Sequence, residues 1–455
     1  MKKRVIGIVY RARSGLLLPI KTQVVLSKPE DVRMDLLEAM VQTPAQAPSE
    51  RIALGDRKIG YFSAIRQLRR QGAEVIVCAD FTCDAFLSEL QAETTVPLIS
   101  LMGAVKAQCQ DEGVTRVGLL GTVQDQEAMR TLFAPLTVHF VGADATCECK
   151  SVQPSHRARG LVQAGAQRVV LACTGAFSHR VALRDAGNPV MHPCAVVAQR
   201  LWATRWCKHE RGFKIGMIGG LGPAATVDLY DKITRFTPAT NDQEHIKVVV
   251  EQNPQIPDRT ACLLKGDVDP TLAMYNCAKR LERDECDAII VPCNTAHAFI
   301  PYLERHLKIP FINMQQATMD EILEKFGPEV RIGLLATSGT IQTGIYAEKA
   351  KAMGLALFTP DARHQAYVMS AIYGPKGAKA GFTTGVCREE LLKAAAYMVR
   401  EHRCDCLILG CTELPLILDE CDNFVFEDGN HVAFVDPTSA LARKVVQLAM
   451  EKKAD

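Results

Sequence analysis

Two apolar runs in the second half of the chain each end on a cysteine: Ala288-Ile289-Ile290-Val291-Pro292-Cys293-Asn294-Thr295-Ala296-His297 and Leu407-Ile408-Leu409-Gly410-Cys411-Thr412-Glu413-Leu414-Pro415. A thiolate is both a base and a nucleophile, so two thiols can work on opposite faces of one small molecule. One cysteine at a strand end is ordinarily a small buried apolar residue. It is the pairing that points to chemistry. Each run is short and breaks into a polar turn before an amphipathic stretch, which predicts a buried parallel strand with the cysteine at its carboxyl end. Open α/β sheets bind their ligands at that end. A helix starting just beyond would aim its positive end at the thiol and favour the thiolate.

The elements that must position these residues recur along the chain. Ile6-Gly7-Ile8 is echoed by Ile215-Gly216-Met217, Val75-Ile76-Val77-Cys78 by Ile289 to Cys293, and Val96-Pro97-Leu98-Ile99 by Ile309-Pro310-Phe311-Ile312. Arg116 to Thr122 is echoed by Arg331 to Thr337, and Val170 to Thr174 by Ile408 to Thr412, in the same order. Five echoes in register predict duplicated domains, 1–205 and 213–455, joined through the polar stretch between Ala203 and Gly212. Strand-like runs alternate with helix-like stretches such as Pro223 to Phe236, Tyr346 to Met353 and Glu389 to Glu401. That alternation predicts an α/β fold of parallel sheets, with each domain built as two Rossmann-like lobes facing across a cleft.

The second copy closely resembles the cofactor-independent aspartate racemases of the aspartate/glutamate racemase superfamily. The likeness runs from about Lys214 to the end. It is carried in order by Gly219-Gly220-Leu221-Gly222-Pro223-Ala224-Ala225-Thr226, by Asn253-Pro254-Gln255-Ile256-Pro257-Asp258-Arg259-Thr260, by the Cys293 segment, by Leu335-Ala336-Thr337 and by Gly410-Cys411-Thr412-Glu413. The resemblance implies that Cys293 and Cys411 are the two catalytic bases and that no cofactor takes part. It also implies that Arg259 and Lys379 receive the side-chain carboxylate of an acidic amino acid, aspartate foremost, with Lys376 the competitor for Lys379. Family members commonly pair, which suggests an internal pseudo-dimer of the fused copies or a homodimer.

Racemisation removes a weakly acidic α-proton from one face and returns a proton to the other, so one group must be a thiolate while its partner is a thiol. Asn294, Thr295, Thr337 and Thr412 offer donors and acceptors for the α-carboxylate and ammonium, and Arg259 a planar fork for a second carboxylate. His297, one helical turn past Cys293, reads as an acid or base or as a hydrogen-bonded brace for the loop. The glycines at 219, 220 and 222 lack the dinucleotide-binding spacing and read as a tight turn near the substrate. Cys404 and Cys406 have no neighbouring histidine pair, so they read as packing residues and no metal site is expected.

The first copy keeps Cys78 and Cys173 as equivalents of the two thiols, but Ala79-Asp80-Phe81-Thr82 replaces Asn-Thr-Ala-His, and Thr174-Gly175-Ala176-Phe177 replaces Thr-Glu-Leu-Pro. Thr122 and Cys173 stand 51 positions apart where Thr337 and Cys411 stand 74 apart, a shortfall of 23 that removes the counterpart of Lys379. This half therefore reads as a divergent racemase-like domain, non-catalytic or of different specificity. The whole chain carries 53 basic and 51 acidic residues, which gives no general attraction to nucleic acid or anionic membrane. Seventeen cysteines without an export signal suggest reduced thiols in the cytoplasm. Two function classes follow: a racemase of an acidic amino acid, with glutamate or broad specificity as the alternative, or a non-enzymatic amino-acid-binding protein of the same fold.

Overall fold

Gly7 and Gly216 each sit in the first strand of a parallel sheet, where a Cβ would fall 2.9 Å from Leu68 Cδ1 and 3.0 Å from Leu281 Cδ1. The missing side chain lets a helix lie directly on the sheet. In the computed structural model, residues 2–12, 15–43, 50–120, 126–141, 154–172, 189–203, 206 and 211–454 are described. They fall into two compact units, Met1–Arg211 and Gly212–Asp455. No helix of the described residues is long and apolar enough to cross a membrane.

The first unit has two four-stranded parallel sheets. One holds β1 (Lys2–Tyr10), β2 (Val32–Met40), β3 (Val75–Ala79) and β4 (Leu98–Ser100) in the order β2-β1-β3-β4. The other holds β5 (Arg116–Leu120), β6 (Thr137–Val141), β7 (Arg168–Leu171) and β8 (Val190–Met191) in the order β6-β5-β7-β8. Helices such as Glu50–Arg70 and Leu101–Asp111 connect the strands of the first sheet and lead away from it. Strand β3 is buried along its whole length, as a parallel strand covered on both faces must be.

The second unit repeats this order. Strands β9 (Lys214–Gly219), β10 (Lys247–Gln252) and β11 (Ala288–Ile290) run β10-β9-β11, and Phe311 bridges to Ile289 where β4 lies in the first unit. The second sheet holds β12 (Arg331–Leu335), β13 (Ala356–Phe358), β14 (Cys406–Leu409), β15 (Cys421–Val425) and β16 (His431–Val435) in the order β13-β12-β14-β16-β15. The predicted helices occur at Pro223–Phe236, Ile345–Ala352 and Val386–His402. The last helix, Pro437–Ala454, carries Leu441, Ala442 and Val445 back against Ile215 and Met217 of the first lobe, so the chain ends by tying its two lobes together.

One feature departs from the all-parallel expectation. β15 and β16 are antiparallel. Only five residues join them, too few for a crossover, and Gly429 at φ +84° closes the turn while Phe426 N donates to Asn430 O.

Candidate active site

Cys293 and Cys411 line one buried cavity in the second unit, together with Leu221, Arg259, Asn294, Thr295, Thr337, Lys379, Thr412 and Glu413. Every residue of this unit expected at the site is therefore on one wall system. Cys293 follows β11 of the first lobe and Cys411 follows β14 of the second, each just past the carboxyl end of its strand. Thr412 Oγ1 donates to Pro292 O at 3.3 Å, which joins the two turns across 120 positions of sequence.

The glycine loop makes the floor. Gly220 has φ +89°, and a Cβ there would lie 2.4 Å from the Asn253 carbonyl carbon; a Cβ on Gly222 would lie 2.6 Å from Glu413 Oε1. Neither position has room for a side chain. Leu221 between them turns its carbonyl to Arg259, whose Nη2 donates at 2.7 Å.

Arg259 opens the helix Arg259–Lys265, capped by Asp258, whose Oδ1 accepts from Ala261 N at 2.7 Å. Nη1 donates to the carbonyls of Ile256 at 3.3 Å and Pro257 at 3.1 Å. Nε is buried without a hydrogen-bond partner. In a planar guanidinium Nε–H shares an edge with Nη2, so main-chain carbonyls orient the fork while a donor stays unused for a carboxylate. Burial works against the charge, but Cys293 beside it raises the guanidinium's pKa.

Asn294 shows the same division. Its Oδ1 accepts from Gln315 Nε2 at 3.1 Å and Tyr346 OH at 2.7 Å, whereas Nδ2 is buried and unpartnered. With its acceptor committed, the amide is oriented as a donor. Thr295, Thr337 and Thr340 form a hydroxyl triangle with edges of 3.2, 2.8 and 3.0 Å. Thr337 also caps the helix Ser338–Thr343 by accepting from Thr340 N.

His297 is a brace. Its Nε2 accepts from Met314 N at 3.2 Å, so Nδ1 carries the proton and donates to Cys293 O at 2.9 Å. Burial lowers its pKa to about 4. An unfolded chain regains the ordinary value near 6.5 and binds the proton first, so this group's contribution to stability falls as pH drops from about 6.5 towards 4. Urea unfolding between pH 7 and pH 4 is expected to show a steeper acid loss, by a few kcal/mol, in the wild type than in His297→Gln.

Neither thiol leads directly into the α-helix expected just beyond it, and Cys293 is followed by the 3₁₀ turn Thr295–Ala298. After Cys411 comes the short 3₁₀ turn Leu414–Leu416, not a helix, and burial and the Glu413 carboxylate push the thiol well above its usual range, with Lys379 acting the other way. The chain thus favours Cys411 as a thiol. Of the two candidate lysines, Lys379 is the one that lines the cavity. Lys379 donates to Glu413 Oε1 at 2.7 Å, and its ammonium lies 5.3 Å from the Tyr373 ring centroid. Glu413, Tyr373, Thr340 and Gln315 were not among the residues expected at the site. An acid two positions after a strand-end thiol was the signal for Glu413, but its lysine partner lies 34 positions away in sequence.

Cys78 of the first unit is inside β3, fully buried among Tyr61, Leu68 and Phe86, and Cys173 lies outside the described residues. Cys404 and Cys406 are buried in separate cores, their thiols raised to about 12 by burial.

Known proteins match parts of the chain, up to about half of it. The broad specificity amino-acid racemase RacX of Bacillus subtilis is 26% identical over 240 residues, which is 51% of this chain and 96% of that protein. A glutamate racemase of Aquifex pyrophilus is 29% identical over 175 residues, 38% of this chain and 63% of that one. Among solved structures, the Picrophilus torridus aspartate racemase is 31% identical, with 52% of this chain and 95% of that chain covered and a TM-score of 0.45. Residues 218–445, from the end of β9 to the last helix and with both thiols between, match the Asp/Glu/Hydantoin racemase family, and to that family the chain belongs.

Proposed function

We propose that residues 213–455 racemise an acidic amino acid, aspartate foremost, by a cofactor-free two-base mechanism. The observation that carries this reading is the meeting of Cys293 and Cys411 on one cavity from opposite lobes, with Arg259 between the glycine loop and the first thiol. Binding alone needs no paired thiols. One thiolate takes the α-proton, and the other thiol returns a proton to the opposite face. The unused Nε of Arg259 receives the distal carboxylate, and the Asn294 amide with the hydroxyls of Thr295, Thr337 and Thr412 receives the α-carboxylate and ammonium. These donors stand ready before charge develops, which lowers the cost of stabilising it.

A broad specificity has its own support. Glu413 already neutralises Lys379, so the second carboxylate meets one free cation where two were expected. Residues 1–205 fit a divergent racemase-like domain that does not racemise aspartate, since Cys78 is sealed in the core and the polar Asn-Thr-Ala-His segment is replaced.

A chiral assay of L- and D-amino acids, run in deuterated water with the full chain and no added cofactor, tests the reading. Product of inverted configuration is expected to carry deuterium at Cα, with aspartate the best substrate. Activity that disappears on stripping pyridoxal phosphate and returns on adding it would overturn the mechanism.

A further inference from the structure

Glu413 is the acid among the cavity-lining residues, and its two oxygens are divided between two partners. Oε2 accepts from Cys411 Sγ at 2.9 Å, and Oε1 accepts from Lys379 Nζ at 2.7 Å. The carboxylate is buried, and the bare Gly222 gives Oε1 its place. A thiol that donates to a carboxylate is held only while it keeps its proton. Once ionised, the same contact sets two anions side by side in a buried site, and Lys379 relieves only part of that repulsion.

The groups facing Cys411 are Glu413 from its own turn, Lys379 from the 3₁₀ turn Ala378–Ala380, Tyr373 from the end of the helix Ala362–Tyr373, and Arg259 and Cys293 on the shared cavity wall. Cys293 has the opposite setting, beside the Arg259 guanidinium. A carboxylate therefore adjoins Cys411 and a guanidinium adjoins Cys293.

We propose that Glu413 is the positioning residue that holds Cys411 as the thiol, so that the free site rests as one protonation isomer with Cys293 as its base. The inference rests on the two-thiol reading above. In the turnover it favours, the Cα–H bond breaks, its electron pair stays on the substrate, and the proton joins Cys293. The Cys411 S–H bond then breaks and delivers its proton to the other face of Cα, leaving a thiolate beside Glu413. A proton must pass from Cys293 to Cys411 through solvent before the next molecule of the same enantiomer reacts. The opposite enantiomer needs the minor isomer.

Because two enantiomers have equal free energies, kcat/KM must be the same in both directions. The imbalance appears instead in KM and kcat separately, both lower for the enantiomer whose α-hydrogen faces Cys293, by about tenfold for each pKa unit separating the thiols. Two measurements on the full chain test this. The first is iodoacetamide alkylation of Cys411 across pH, read by mass spectrometry at that residue, which needs no turnover. Glu413→Gln is expected to move the midpoint to lower pH and Lys379→Met to move it higher, opposite signs that general loosening does not produce. Glu413→Asp, with a longer reach to Sγ, should fall between Gln and wild type, and with Lys379→Met it carries the test if the Gln variant does not fold.

The second measurement is steady-state racemisation of the two enantiomers of the amino acid found in the chiral assay. The wild type is expected to show unequal KM values, and Glu413→Gln to bring the ratio towards one. Equal KM values in the wild type, or a Cys411 midpoint unmoved by Glu413→Gln, would overturn the proposal. Shifted midpoints in a chain that racemises nothing would support the Glu413 assignment and fail the two-thiol reading instead.

Discussion

Cys293→Ala and Cys411→Ala are each expected to abolish racemisation, with a loss of at least about 10²–10⁴-fold for removing one positioned acid or base, while Cys78→Ala is expected to leave the rate of the full chain unchanged. Two-base proton transfer needs both thiols, so neither variant retains a half-reaction that completes turnover. Both cysteines reach the cavity with only a small part of their surface exposed, and alanine is smaller than cysteine, so the circular dichroism spectrum should match the wild type. Turnover kept in both single variants would exclude the scheme. A fall in rate for Cys78→Ala without unfolding would make the first unit a working site.

Arg259→Leu is expected to lower kcat/KM for aspartate by roughly 10²-fold, corresponding to a charge-assisted contact of a few kcal/mol in a dry site. The guanidinium also holds the carbonyls of Leu221, Ile256 and Pro257, so its loss loosens the loop for every substrate. The discriminating quantity is the ratio of aspartate to a monocarboxylic amino acid that the wild type also turns over. That ratio is expected to fall with Arg259→Leu and to change less with Lys379→Met, because Lys379 already has Glu413 as a partner. An unchanged ratio would place the distal-carboxylate contact elsewhere.

The strands that lead to Cys293 and Cys411, with β3 echoing the first of them, were legible in the sequence because their apolar runs are buried and end at a glycine, proline or polar turn. Helix Pro223–Phe236 was readable to the residue, since a proline at its first position and a glycine before it mark the start. The antiparallel β15 and β16 were not, because the parallel alternation upstream sets the expectation and only the Asp428-Gly429 pair marks the tight turn between them. At the site, the residue types after each thiol were informative, but what surrounds them was not. In place of the helices expected after the two thiols stand short 3₁₀ turns, with Pro415 inside the one after Cys411, and the field at that thiol depends on Glu413 and Lys379, which come together only in the fold. His297 illustrates the same limit. Its two roles look alike in sequence and separate only when Met314 N is found to occupy Nε2.

The bond from Thr412 to the Pro292 carbonyl bears on how the cavity can be filled and emptied. A neutral hydrogen bond contributes about 0.5–1.5 kcal/mol net, only about one to three times the thermal energy, and at 3.3 Å this one is long. It therefore works as a latch and not a lock. Its breaking alone does not part the two lobes, because Thr295 also bonds to Thr337 and Thr340 across them and the last helix packs against the first lobe. A racemase site, which the proposed function makes this one, would use that combination: a closed geometry defined by several bonds, no one of which is costly to break.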